Sequence, residues 1–163
     1  MLGRLLRSKL GQKLFKALCG EGGKTLDKFL FKLWNFSLIV HAAAAMNGMR
    51  PIPTLMIDTV GRPSGRMRSA VMPYIAINGR LYLIGFNGAK QKDPFWVENI
   101  RSNPNASIII NRKVRHVRGR VLQVDSSERA EVWNTEIALK AYHVFQRETA
   151  RQIPIVASDH LEA

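Results

Sequence analysis

The hydrophobic pattern divides the chain near residue 48 into a helical part and a part built of strands. In the helical part, leucines recur at helical spacing among lysines and arginines, and no acid precedes Glu21. These leucines are Leu2, Leu5, Leu6, Leu10, Leu14 and Leu18. The spacing predicts an amphipathic helix, a break at Glu21-Gly22-Gly23 and a second helix from about Lys24 to Gly48.

After Pro51 the apolar residues come in short runs that predict about six strands. These are Thr54–Val60, Ser69–Ile77, Leu81–Phe86, Ala106–Ile110, Val114–Val124 and Ile153–Ala157. The dipeptide Asn78-Gly79 is a strong signal for a two-residue β-hairpin turn, and another hairpin is predicted around Asn111-Arg112. Strands that follow one another are therefore predicted to pair in antiparallel fashion.

Helices are predicted between and after the hairpins: Pro94–Ser102, Asp125–Leu139 and Ala141–Thr149. Pro94 suits the first turn of a helix, and Glu128 stands at capping-box spacing from Asp125. Short turns, inserted helices and the lack of βαβ alternation predict an α+β, mainly β fold with an antiparallel barrel. We expect a helical segment over 1–48, the barrel over 49–158 and a tail over 159–163.

Composition limits the classes of function. The chain has 163 residues, enough for one domain with a core, and a formal net charge of +13. Such a charge suits nucleic acid, an anionic membrane surface or a polyanionic small ligand. The single cysteine, Cys19, excludes an internal disulfide, and the four histidines have no metal-ligand spacing, so we expect no metal site.

The basic N-terminal segment has three interpretations. It packs on the domain or on a second subunit, it lies in a membrane interface, or it is a targeting peptide. The apolar stretch from Leu33 to Met46 is too short to predict a membrane span. We therefore expect a cytoplasmic protein, which under the second interpretation lies peripherally at the cytoplasmic face of the membrane.

Two segments have the chemistry of anion-binding corners. The glycine-bounded turn Gly61–Arg68 carries arginines and a hydroxyl between two apolar runs, and its N–H groups suit a phosphate or carboxylate. The loop at Gly88-Ala89 leads into a helix start, where free N–H groups also favour an anion. Two such corners predict one long, phosphorylated ligand held at two points, as in a cofactor protein.

Motifs of cofactor-independent catalysis are absent from the sequence. It contains no GxSxG, HExxH or P-loop motif, so the reactive centre of any reaction is expected to be a cofactor. The basic stretch Arg112–Arg120 invites a nucleic-acid interpretation, but it has no RNA-binding aromatic motif. We predict a solvated edge hairpin there, and no nucleic acid as a partner.

Three separated motifs resemble the deazaflavin-dependent nitroreductase family. They are Thr59–Arg68, Asp93–Pro104, and Gln146–Thr149 followed by Arg151, Ile153, Pro154 and Val156. The resemblance extends from about residue 50 to 157. It implies a split β-barrel that binds the deazaflavin coenzyme F-420, with its phosphate and glutamate tail.

The resemblance also implies roles for individual residues. Arg62, Ser64 and Arg68 would bind the coenzyme tail together with Gly88 and Ala89. Trp96 and Asn99 would lie beside them, with Trp96 either as a core anchor or as a stacking partner. Family members often have a lysine at the position of Pro63 and a basic residue at that of Asn87, and here Lys90 or Lys92 is the candidate replacement.

Residues near the C-terminus match the substrate side of the family's site. Tyr142 would orient a substrate carbonyl or donate a proton after hydride transfer, and Phe145 and Leu139 would line the pocket. The alternative is that these side chains only anchor the last helix on the barrel.

These expectations combine into one function with two rivals. The protein is expected to transfer hydride from reduced F-420 to an enone, quinone or nitro compound as the small-molecule acceptor. The rivals are an FMN-dependent oxidoreductase of the same fold and a non-catalytic cofactor-binding or membrane-associated protein. A homodimer is one expected assembly.

Overall fold

The computed structural model describes residues 8–160. The predicted helical positions Leu2, Leu5 and Leu6, and residues 161–163 of the predicted tail, lie outside the described residues. Within the described range, three helices precede the strands: α1 (Lys9–Leu18), α2 (Glu21–Trp34) and α3 (Leu38–Asn47).

The helix predicted from Lys24 to Gly48 is in fact two helices, and the predicted break at Glu21-Gly22-Gly23 lies inside the first turn of α2. The axes of α2 and α3 bend by 105° between Trp34 and Leu38. No single described helix is both long and apolar enough to cross a bilayer, although α2 and α3 together reach that length.

Local and tertiary hydrogen bonds explain this bend. Asn35 ends α2 in a left-handed conformation with φ of 54°, which asparagine tolerates. The Ser37 hydroxyl caps α3 by accepting from Val40 N–H at 3.2 Å. Asp27, buried in α2, accepts from the Ser37 hydroxyl at 2.9 Å and from Ile39 N–H at 3.0 Å. The carboxylate therefore fixes α3 across α2.

Seven antiparallel strands form one sheet. They are β1 (Thr54–Val60), β2 (Met67–Pro73), β3 (Ile75–Ile77), β4 (Arg80–Ile84), β5 (Asn105–Ile110), β6 (Lys113–Val121) and β7 (Ile155–His160). Their order is β2-β1-β5-β6-β7-β4-β3, and the sheet curls so that β2 approaches β4. The predicted antiparallel barrel is confirmed.

Three strand predictions need correction. The strand predicted over 69–77 is two strands, since β2 pairs with β1 up to Pro73 and β3, from Ile75, pairs with β4 instead. The hairpin of β5 and β6 is not a free edge, since β6 also pairs with β7 from Val117 onward. The last strand continues to His160, so the first residues of the predicted tail lie in the sheet.

Within residues 8–160, four further helices are inserted between strands: α4 (Phe95–Ser102) between β4 and β5, and α5 (Ser127–Trp133), α6 (Glu136–Ala141) and α7 (His143–Arg147) between β6 and β7. The bounds of α4 agree with the prediction. The helix predicted from Asp125 to Leu139 is α5 plus α6, capped by Ser126 and Thr135 rather than by Asp125. Each of these hydroxyls accepts a backbone N–H three residues ahead, and the second cap starts a new helix.

Two apolar cores hold the helices on the sheet. One lies between the sheet and α4 and includes Leu55, Leu83, Val97, Ile100, Ile108 and Val117. The other lies under α5 to α7 and includes Ile84, Val132, Ala138, Ile153 and Ile155. A side chain at Gly119 in β6 would come within 2.8 Å of Ile100, so α4 lies directly on the strand. This close packing fixes the helix that organises the candidate site.

Candidate cofactor site

The first predicted corner is a tightly closed turn between β1 and β2. Gly61 N–H donates to Arg66 O at 2.8 Å, and Gly65 N–H donates to Gly61 O at 2.8 Å. A side chain at Gly61 would stand 3.0 Å from Arg66 O and 3.1 Å from the Ser64 hydroxyl, so the turn requires glycine there. Among residues 8–160 the guanidinium groups of Arg66 and Arg68 have no ion-pair or hydrogen-bond partner. The turn therefore presents unpaired cations at the surface.

Asn99 holds this turn from α4. Its side chain is buried, donating to the Thr59 hydroxyl at 2.9 Å and accepting from Arg62 N–H at 3.0 Å. Thr59 is itself fully buried. Because the amide is engaged on both sides within the protein, the geometry gives Asn99 a positioning part, in which it fixes the backbone of Arg62.

The second predicted corner is a left-handed turn. Asn87, Gly88 and Ala89 have φ values of 48°, 59° and 57°. Asparagine and glycine adopt this conformation readily, whereas alanine does so at a cost. The Asn87 side chain also donates to Lys92 O at 2.9 Å. Asn87 thus stabilises the loop conformation through its backbone angles and its side chain.

Arg151 fixes that loop from the segment before β7. Its guanidinium donates to Lys90 O at 2.7 Å, to Gly85 O at 3.0 Å and to Phe86 O at 2.8 Å. It also pairs with Asp93 at 2.7 Å, and its side chain is only 12% exposed. Sequence analysis placed Arg151 in a motif but gave it no role, because its partners lie about sixty positions away in the chain.

The rest of the C-terminal motif supports Arg151. The Gln146 side chain donates to Arg151 O at 2.8 Å and accepts from Ile153 N–H at 3.0 Å. Thr149, which is buried, donates to the Gln91 side chain at 3.3 Å. The motif is therefore a clamp on the loop 85–93.

The predicted substrate-side residues lie at different depths. Tyr142 is 4% exposed, and its ring centroid lies 5.5 Å from that of Phe86 in the loop. Phe145 lies 4.9 Å from the same Phe86 ring. Leu139 is half exposed, on the surface of α6. The fold thus brings Tyr142 and Phe145 to the loop through Phe86, a contact that the sequence did not predict.

The two aromatic residues at the start of α4 have opposite environments. Trp96 is 8% exposed and belongs to the core under α4. Its neighbour Phe95 is 86% exposed at the helix N-terminus, next to the loop. The sequence did not indicate that Phe95 is exposed, because the packing of α4 on the sheet decides which of the two neighbouring aromatic side chains is buried.

Burial raises the pKa of the Tyr142 phenol above its usual range. An unfolded chain loses this proton near pH 10, so above that pH the unfolded state binds fewer protons than the folded one and stability falls.

We expect wild-type stability to decline with rising pH more steeply than that of Tyr142→Phe, by up to about 1.4 kcal/mol per pH unit above about pH 10. Urea unfolding of both proteins from about pH 8 to 11 measures this difference. Parallel declines would contradict the expectation, since Tyr82, whose pKa burial also raises, is present in both proteins.

Comparison with known protein families gives a consistent assignment. A family model described as F420H(2)-dependent quinone reductase matches residues 39–160. Rv3178 of Mycobacterium tuberculosis, whose name refers to the same activity, is 30% identical over 108 residues, which cover 66% of this chain and 89% of that protein.

Solved structures agree with the fold. The F420-H2 dependent reductase FDR-A has a TM-score of 0.58 at 28% identity, covering 66% of this chain and 94% of that one. A domain-swapped dimer has a TM-score of 0.58 at 26% identity, covering 69% of this chain and 86% of that one. The fold is a split β-barrel, and the matched region contains both corners, α4 and the C-terminal clamp. The chain belongs to the F420H(2)-dependent quinone reductase family.

Proposed function

We propose that this oxidoreductase transfers hydride from the reduced deazaflavin coenzyme F-420 to a quinone, with enones and nitro compounds as alternative acceptors. One observation carries the proposal: α4 holds both anion-binding corners, through Asn99 at the turn and through Arg101, which pairs with Asp93 of the loop at 2.7 Å. A ligand bound at both corners must be long and anionic. The coenzyme, with its phosphate and carboxylate tail, has that form.

The residues at the corners fit such a group. Arg62 and Arg68 would bind the anionic tail by charge-assisted hydrogen bonds, and the Ser64 hydroxyl would add a neutral one. A side-chain carbon added at Gly88 would meet no atom within 4 Å, so a ligand has free access to the backbone there. Lys90 and Lys92 are exposed beside this turn, without an ion pair among the described residues, and supply nearby positive charge.

The aromatic cluster would form the acceptor side of the site. When bound, the deazaflavin ring supplies the hydride. The Tyr142 hydroxyl, kept protonated by burial, would donate a hydrogen bond to the acceptor oxygen and orient it. The reduced acceptor would take up its proton from solvent on release. Phe86 and Phe145 would exclude water around it, and Leu139 would meet the acceptor at the rim.

Turnover tests this function directly. Chemically reduced coenzyme is mixed with the protein under anaerobic conditions, and its reoxidation is followed by absorbance with a water-soluble quinone, an enone and a nitroaromatic compound. We expect quinone-dependent oxidation that saturates with protein-bound coenzyme. Tight coenzyme binding without turnover on any acceptor would instead indicate a cofactor-binding protein.

The N-terminal helices suggest where the acceptor comes from. The helix α2 packs against β2 and buries Phe31, but the outer faces of α1 and α2 carry large exposed apolar residues: Leu10, Leu14, Leu26, Phe29, Leu33 and Trp34. Lysines flank them: Lys9, Lys13, Lys16, Lys24, Lys28 and Lys32. Arg112 of the β5–β6 turn lines the same surface cleft as Leu33 and Trp34. We propose that this surface binds an anionic membrane, from which a lipophilic quinone is drawn.

Vesicle sedimentation tests the membrane proposal. The protein is expected to bind vesicles of phosphatidylcholine with about one-third phosphatidylglycerol, and to bind pure phosphatidylcholine weakly. The double variant Phe29→Ser with Trp34→Ser should lose most of the binding, because both side chains are exposed apolar anchors. Val124→Ser, an exposed apolar site elsewhere, is the control. Undiminished vesicle binding by the double variant would refute the proposal. A dimer in light scattering that the double variant converts to a monomer would also refute it, because a second copy of the chain would then cover this surface.

A further inference from the structure

A chain of five charged side chains joins the two corners. Arg151 pairs with Asp93 at 2.7 Å, and the other oxygen of Asp93 pairs with Arg101 at 2.7 Å. Arg101 also contacts Glu98, and the second oxygen of Glu98 lies 3.6 Å from Arg62. Charges alternate along this chain, so every carboxylate in it stands between two guanidinium groups.

The two ends of the chain differ in how firmly they are held. At the loop end, Arg151 is 12% exposed and donates to three backbone carbonyls besides Asp93. At the turn end, Arg62 is 59% exposed, and Glu98 is the one partner of its guanidinium among residues 8–160. A separation of 3.6 Å is too long for a hydrogen bond. The contact therefore attracts Arg62 without fixing its orientation.

We propose that Glu98 occupies Arg62 in the free protein and that the anionic tail of the coenzyme displaces it. The inference rests on the proposed function, because it takes Arg62 as a tail-binding residue. Under this proposal Glu98 competes with the coenzyme tail for Arg62 and so lowers the affinity of the protein for the coenzyme. An anionic group that forms hydrogen bonds with the guanidinium gains more than this longer contact with the carboxylate provides.

The contacts around Arg62 keep the free-energy cost of its transfer from Glu98 to a ligand low. When Arg62 turns to a ligand, Glu98 keeps its contact with Arg101, so no carboxylate is left unpaired. The Arg62 backbone stays in place, because its N–H is held by Asn99 at 3.0 Å. Thus Glu98 of α4 attracts the side chain of Arg62, and its neighbour Asn99 positions the main chain of Arg62.

A double-mutant cycle measures this competition. Dissociation constants for F-420 are obtained by fluorescence titration for wild type, Glu98→Gln, Arg62→Ala and the combined variant. Exposed ion pairs of this kind correspond to changes of up to about five-fold in an equilibrium, so Glu98→Gln should bind the coenzyme about two- to five-fold more tightly. Thermal unfolding of each variant confirms that the fold is intact. Glu131→Gln, at an exposed acid without an ion pair in the described chain, is the control for loss of one negative charge.

The outcomes separate the inference from the function on which it rests. A gain in affinity with Glu98→Gln that vanishes in the Arg62→Ala background supports the competition. An equal gain in both backgrounds means simple charge removal, and a loss of affinity means that Glu98 orients Arg62; either result overturns the inference while the proposed function stands. A wild-type protein that fails to bind the coenzyme overturns both.

Discussion

Replacing Arg151 with alanine is expected to lower the free energy of unfolding by about 3–5 kcal/mol, the range for breaking a buried ion pair. The guanidinium donates to three backbone carbonyls of the loop 85–93 and pairs with Asp93, so its loss leaves the half-buried carbonyls of Gly85 and Phe86 without this donor. The left-handed turn at 87–89 would then lose its anchor. Coenzyme binding should fall with it, because the second corner no longer has a fixed shape.

Thermal and urea unfolding measure the effect, with Arg147→Ala as the matched control. Arg147 is exposed and has no partner among residues 8–160, so its removal should change stability by less than about 0.5 kcal/mol. Arg151→Lys should recover little, since one ammonium cannot reach carbonyls on both sides of the loop. Equal stability of Arg151→Ala and the control would contradict this account of the loop.

Combined Arg62→Ala and Arg68→Ala substitutions are expected to weaken F-420 binding about 100-fold or more. Each guanidinium would lose a charge-assisted hydrogen bond worth at least about 1.5 kcal/mol, and about 1.4 kcal/mol corresponds to a factor of ten. Stability should change little, because both side chains are exposed. The large loss of affinity would therefore come from the ligand contact alone.

Fluorescence titration at two salt concentrations measures this loss. The control is Arg112→Ala with Arg115→Ala, which removes the same charge from the β5–β6 hairpin. The control should bind F-420 almost as tightly as the wild type does. Its affinity should fall only slightly, and in a salt-sensitive way, because the net positive charge of the protein is smaller. Similar losses in the two double variants would show that net charge, and not the turn, determines affinity.

Elements defined by local signals could be predicted from the sequence. The Asn78-Gly79 hairpin and α4 follow from a turn dipeptide and from Pro94, which act over a few residues. The break between α2 and α3 could not be predicted, because it depends on Asp27 reaching Ser37 and Ile39 across the fold. The same is true of the strand break at Tyr74, where the pairing partner changes from β1 to β4.

The candidate site was predicted in part for the same reason. The turn at Gly61 and the loop at Gly88 are visible as glycine-bounded segments with basic residues. The side chains that hold them, Asn99 and Arg151, act through contacts between residues far apart in the chain. The left-handed conformation of Asn87 likewise appears only in the structure.

Cofactor choice is the central claim, and one titration tests it most directly. The purified protein is titrated in parallel with F-420 and with FMN, and binding is followed by fluorescence. The account predicts saturable binding of F-420 that weakens as salt rises, and FMN binding that is much weaker because FMN has no long anionic tail to reach both corners. Tight binding of FMN, with no saturation by F-420, would contradict it.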